Sequence, residues 1–211
     1  MRSRYSIPVS TALILGSVLT FLTSCEANHS PITEHATSST LIPQTKIQTF
    51  TTATPVPLPF ATTKTKRWNS ANNGTPYEPC NALTPASLLA SKILPETIQD
   101  AASVDGQTIR GCMWDRTSTG AGFSQVVVNS ASLTAYKHNE PDNFLADIEQ
   151  NGRTIGVATS ATQCFTYVQS YRSGVITAFY MGSVNPESYE ELCQNAIRFT
   201  RANLQRIPIG N

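Results

Sequence analysis

The sequence has little charge and almost no excess of either sign. Fifteen Lys and Arg stand against fourteen Asp and Glu in 211 residues, a net charge of +1 at pH 7. Proteins that bind polyanions gather cations on one surface, and the tightest basic group here is the short run Lys64-Thr65-Lys66-Arg67. Nucleic acid is therefore not an expected partner. Histidine is scarce, with only His29, His35 and His138. The cysteines form no CxxC pair and have no His at ligand spacing, which argues against a zinc site. A GxxxxGK[ST] phosphate loop is missing. So is a GxSxG nucleophile elbow, since Gly122-Phe123-Ser124-Gln125-Val126 lacks the second Gly. No spacing singles out two carboxylates as a glycosidase pair, and Asn139-Glu140-Pro141-Asp142-Asn143 is too short and irregular for a calcium loop. No cofactor is expected, and no motif nominates a catalytic or metal-binding residue.

What is present begins at the N-terminus. Arg2 and Arg4 precede an uncharged, mostly apolar run from Ile7 to Leu22. That run is short for a membrane span, which needs roughly 17–25 residues. A basic start, an apolar centre and small residues at the end describe a secretory signal. The closing residues Leu22-Thr23-Ser24-Cys25 resemble the bacterial lipobox. There the Cys sulfur takes a diacylglyceryl group and becomes the mature N-terminus. The expectation is a lipoprotein signal peptide over 1–24 and lipidation at Cys25. The membrane is then a partner through the lipid anchor, with the chain on the extracytoplasmic face. One acyl chain binds a bilayer marginally, whereas two or more hold firmly.

Residues 25–66 are dense in Thr, Ser and Pro, with neither a helical nor an alternating apolar period. Such a stretch buries too little surface to offset its ordering entropy, and its prolines favour extended backbone. It reads as a stalk. Residues 67–211 then form a single α+β extracytoplasmic domain. Apart from Cys25, the cysteines are Cys80, Cys112, Cys164 and Cys193. An even set in an exported chain predicts two disulfides, with three connectivities open.

Local patterns fill in the domain. Thr84 and Pro85 read as the cap and first residue of a short helix, with Leu83 and Leu88 placed for a hydrophobic staple. Strands are expected over 108–116, 123–136, 153–160, 162–170 and 174–182, with a hairpin at Tyr171-Arg172-Ser173-Gly174. A helix is expected over 139–152, starting near Pro141 and ending at Gly152. Another should run from Asn185 and Pro186 to Arg206, with acidic residues early and Arg late, as the helix dipole favours. This order predicts an antiparallel sheet of about five strands with helices on one face. Cys164 on a strand and Cys193 on a facing helix favour the pairing Cys164–Cys193. Cys80–Cys112 would then tie the first helical region to the first strand.

The stretch Arg67 to Leu88, with Pro79-Cys80 and Leu83, and the motif Gly111-Cys112-Met113-Trp114 carry a resemblance. Following a lipobox and a Thr-rich stalk, they resemble exported actinobacterial lipoproteins that share a domain of unknown function. The resemblance implies a cell-envelope location and no established reaction or cofactor. The main functional expectation is a non-catalytic binding or interaction domain whose partner is an envelope protein or lipid. The alternatives are a small hydrolase built around His138 and Asp142, and a sensor holding an apolar envelope ligand between sheet and helices. Trp114, next to a paired Cys, is expected in the core. Tyr167, Tyr171 and Tyr180 would form a recognition surface if they were exposed together.

Overall fold

A capping side chain and a proline start each of the first two helices. Glu78 accepts from the Cys80 backbone N–H before α1 (Pro79–Ala82), and Thr84 accepts from Ser87 before α2 (Pro85–Leu89). Proline at the first helical position sacrifices no hydrogen bond, because that N–H has no partner within the helix. The computed structural model describes residues 53–116, 120–130, 132–140, 143–183 and 188–209. The expected signal peptide, Cys25, most of the stalk, Asp142, Asn185 and Pro186 lie outside the described residues. Contacts with the folded part reach back to Pro57, whose carbonyl accepts from Asn81 at 2.6 Å. Leu58 and Phe60 pack against the core.

The sheet is antiparallel throughout. Its strands are β1 (Gln99–Asp100), β2 (Arg110–Asp115), β3 (Gly122–Val128), β4 (Asn143–Phe144), β5 (Ile148–Gln150), β6 (Arg153–Ser160), β7 (Gln163–Ser170) and β8 (Ser173–Tyr180). They lie in the order β1-β2-β3-β8-β7-β6-β4, with β5 also pairing with β6. The sheet thus has eight strands where about five were expected. Four of the five long ones match the expected segments, and β3 matches the first half of 123–136. The other three are edge pairings of two or three residues, too short to show an alternating period.

Helix α4 (Tyr189–Asn203) covers one face. Its N-cap is Ser188, whose side chain accepts from Glu191 N–H while the Glu191 carboxylate accepts from Ser188 N–H. This capping box satisfies two backbone donors at once. Leu192, Cys193, Ala196 and Phe199 meet Trp114, Phe123, Val157, Cys164 and Phe179 in the main core, together with Cys80, Leu83 and Leu88. Helices α1, α2 and α4 therefore share this face. Along β7, Cys164, Thr166 and Val168 point toward α4, while Phe165 and Tyr167 point away, as the two-residue period of a strand requires.

Two expectations are overturned. The helix expected over 139–152 does not form: among its described residues, Asn143–Phe144 and Ile148–Gln150 are strands. Asn151 and Gly152 have φ of 52° and 72°, and Gln150 pairs with Arg153 across them. Two successive positive φ angles make a type I′ hairpin turn, for which Asn-Gly is the favoured pair. The apolar spacing of Phe144 and Ile148 imitates a helical stripe, but these residues belong to separate short strands. The expected strand 123–136 ends at Val128. Ser132 caps α3 (Leu133–Asn139), accepting from Ala135 at 3.1 Å. This helix packs on the face opposite α4, so helices do not lie on one face alone. Tyr136 stacks on Tyr167 with centroids 4.9 Å apart. Leu133 sits over Gly156, where an added Cβ would lie 2.4 Å from it.

Disulfides join Cys80 to Cys112 and Cys164 to Cys193, with Cα–Cα distances of 5.3 and 5.1 Å. The second ties α4 to the middle of the sheet across 29 residues of sequence. Closing a loop of that length restricts the unfolded chain by about 3–4 kcal/mol. Replacing Cys164 and Cys193 together by Ser should lower the unfolding free energy by about that amount. Urea denaturation followed by circular dichroism measures it.

Candidate functional site

The residues that drew attention in the sequence mostly serve the interior. Trp114 is buried against Phe123, with ring centroids 5.4 Å apart. Tyr167 is buried, Tyr180 is half-buried with its hydroxyl 2.9 Å from that of Ser124, and Tyr171 occupies the β7–β8 turn with φ of 51°. The three tyrosines therefore do not present one exposed surface. His138 is exposed in the last turn of α3. Its expected partner Asp142 lies outside the described residues. Among the described residues no group of three His, Cys, Asp or Glu could hold a metal ion.

The stretch around Arg67 and the strand residue Arg110 build a buried charge network. Arg67 donates to both carboxylate oxygens of Glu78 at 2.7 and 3.1 Å, to Asp100 at 3.2 Å and to the Gly111 carbonyl at 2.9 Å. Arg110 donates to the carbonyls of Asn72, Thr75 and Tyr77 and reaches Glu78 at 3.3 Å. Its guanidinium carbon also lies 3.6 Å from the Trp68 ring centre. For Arg67, burial works to lower the pKa, but Glu78 and Asp100 outweigh it and the net shift is upward. Arg110 has only one carboxylate neighbour and faces Arg67. Burial dominates there and brings it down to about 10. Both groups stay cationic at neutral pH. Their hydrogen bonds end on backbone carbonyls and buried carboxylates, so this cluster fixes the loop of residues 67–78 against β2 and presents nothing to a ligand.

The open feature lies on the other flank of α4. There a groove of about 690 Å³ runs between the helix and the edge of the sheet. Cys193 and Ile197 form its floor, Leu145, Thr159 and Ala161 its wall, and Tyr189 one end. Tyr189 O–H donates to the Ala161 carbonyl and holds that end. Leu145 is 48% exposed and Tyr189 46%, a costly placement for two large apolar side chains so close together. The groove continues past Gln194 and Ile197 into a second hollow of about 520 Å³, bounded by Ile148, Arg198 and Arg201. Small-molecule sites typically span about 300–1,000 Å³ and are mostly apolar with a few polar groups. The two ends differ in charge, with Glu190 near Tyr189 and two arginines at the far end. Sequence reasoning missed this site. The one local signal was Ile197, an apolar residue off the buried stripe of α4 and set between Gln194 and Arg198.

Two outcomes follow from the buried groups. Glu78→Gln leaves two guanidinium groups short of a countercharge, so it should cost about 3–5 kcal/mol. Glu191→Gln at the exposed cap keeps an acceptor for Ser188 N–H and loses only a charge near the helix N-terminus, so it should cost about 0.3–1 kcal/mol. Parallel denaturation curves compare the two. Burial raises the phenol pKa of Tyr77 beyond the ordinary range and that of Tyr167 to about 12. A phenol that holds its proton longer when folded contributes stability that is complete below its unfolded pKa and lost as pH rises through the folded one. Absorbance titration should show both rings still protonated at pH 11, ionising only as the chain unfolds.

No curated protein and no solved structure gives a significant match to the chain. Residues 21–206 match the family model DUF3558, described as a protein of unknown function, and the chain belongs to that family.

Proposed function

We propose that this protein is a lipid-anchored component of a bacterial cell envelope, of the actinobacterial kind, whose folded part binds a partner without transforming it. The address rests on the run from Ile7 to Leu22 closed by Leu22-Thr23-Ser24-Cys25. Two disulfides agree with it, because such bonds persist in oxidising compartments. In this reading the signal is removed after Ser24, the acylated Cys25 sits in the outer leaflet of the cytoplasmic membrane, and the Thr- and Pro-rich stretch spaces the domain from the bilayer.

The observation that carries the binding role is the groove along α4, where Leu145 and Tyr189 stand half-exposed over an apolar floor. Exposed apolar area that clusters around a concavity is characteristic of a binding surface. The Cys164–Cys193 disulfide holds α4 to the sheet, so the helix side of the groove is fixed before a ligand arrives.

Peptide mapping of the membrane fraction, with metabolic labelling by an alkynyl palmitate, tests the anchor. The mature N-terminal peptide should begin at Cys25 and carry the diacylglyceryl mass and the label. Cys25→Ala should lose both. A wild-type protein with a bare Cys25 thiol overturns the tethering.

A further inference from the structure

We infer that the α4 groove takes a single-chain anionic amphiphile. Its acyl tail lies between Tyr189 and Ile197 and its acidic head lies at Arg198 and Arg201. The inference rests on the groove being the binding surface and not on the anchor at Cys25.

Two properties of the groove select this ligand class. The first is the lining. From Leu145 past Cys193 to Ile197 and Ile148 the surface is carbon and disulfide sulfur, and the polar neighbours there are short hydroxyl side chains and amides. Such a surface favours an alkyl chain, because each methylene laid against it is removed from water. The second is the order of charge along the helix. The groove follows Glu190, Cys193, Gln194, Ile197, Arg198 and Arg201, residues three or four apart that form one stripe of α4. Its carboxylate stands at the Tyr189 end. Its guanidinium groups stand at the Ile148 end, where Arg198 donates to the Asn195 side chain at 3.1 Å and Arg201 forms no ion pair among the described residues. An acidic head is repelled at one end and received at the other. A guanidinium binds a carboxylate or phosphate by paired N–H donors, which a neutral head cannot use. The stripe therefore orients the ligand as well as holding it. Arg198 also borders a polar hollow that Lys92 and Glu191 line, one charge of each sign, so the head rests on Arg198 and Arg201 themselves.

The test uses the full chain carrying Cys25→Ser, so that no attached acyl group competes. The probe is 11-(dansylamino)undecanoic acid, whose emission rises and shifts to the blue in an apolar site. We expect saturable binding, displaced by palmitate at least tenfold more effectively than by methyl palmitate, the difference one charge-assisted contact makes. Leu145→Glu, on an exposed wall residue, should abolish the site. Ile197→Glu should do the same, and circular dichroism shows whether each variant is folded; if Ile197→Glu unfolds the chain, Leu145→Glu decides. Arg198→Gln with Arg201→Gln should weaken palmitate about tenfold and leave methyl palmitate unchanged. Absence of saturable binding, or full binding in folded Leu145→Glu, overturns the assignment of the groove. Equal displacement by palmitate and methyl palmitate overturns the assignment of the head. Neither result bears on labelling at Cys25, so a failure here and a failure of the anchor are told apart.

Discussion

Glu78 places one negative charge in the interior, and two guanidinium groups converge on it. Arg67 grips both of its oxygens, Arg110 approaches from β2, and Asp100 supplies the second countercharge to Arg67. Removing ions from water costs several kcal/mol each unless partners and hydrogen bonds replace the hydration. Here the replacement is thorough: the carbonyls of Asn72, Thr75, Tyr77 and Gly111 take up the remaining N–H groups. The loop from Arg67 to Glu78 has no regular secondary structure, so its backbone has few partners of its own. The arginines supply them. Glu78 then caps α1 as well, which sets Cys80 where it can reach Cys112. Charge pairing, cap and disulfide therefore form one chain of dependence, and the position of α1 against the sheet follows from it.

A second polar thread runs through the core under α4. Tyr77 donates to Gln125 at 2.7 Å and Gln125 to Thr177 at 2.9 Å, while the Thr166 and Thr200 hydroxyls lie 2.6 Å apart. Each pair joins elements distant in sequence. Buried hydrogen bonds of this kind add little net stability but penalise any shift that would leave them unmade. With the Cys164–Cys193 bridge, the Thr166–Thr200 pair fixes the register of α4 on β7. That fixed register is what leaves Ile197 and Tyr189 at the sheet edge instead of inside it.

Much of this was legible in the sequence where the signal is local. The Thr84-Pro85 start, the five long strands, the alternation of Cys164 and Phe165 and the inward side of Cys193 all follow from period and capping. Asn151-Gly152 was misread because the pair ends helices and also makes hairpins, and only cross-strand pairing decides between them. The cap of α4 shows the same ambiguity. Asn185-Pro186 resembles a helix start, yet Ser188 with Glu191 satisfies two donors where a lone Asn satisfies one. Of the long-range features, only the two disulfide pairings were legible, because cysteines are few and each sits on a readable element. Arg67 and Arg110 stand 43 positions apart in the sequence, and nothing near either announces that they share a carboxylate. The groove was hidden for the same reason, since Leu145 comes from a link between two short strands and Ile197 from a helix much later in the chain.

The stretch from Arg67 to Leu88 and the segment Gly111-Cys112-Met113-Trp114 serve the interior to a large extent. Arg67, Glu78, Cys80, Leu83, Gly111, Cys112 and Trp114 are all buried. An added Cβ at Gly111, where φ is 153°, would lie 2.1 Å from the Gln125 carbonyl, so that motif glycine answers to strand spacing. In the proposed reading, binding selectivity comes from side chains that this frame leaves in contact with water. On α4 those are Glu190, Gln194, Ile197, Arg198 and Arg201, positions at which a change of side chain alters groove chemistry without touching the buried charges. A substitution at one of these positions therefore changes the groove while leaving the buried network of Arg67, Glu78 and Arg110 intact.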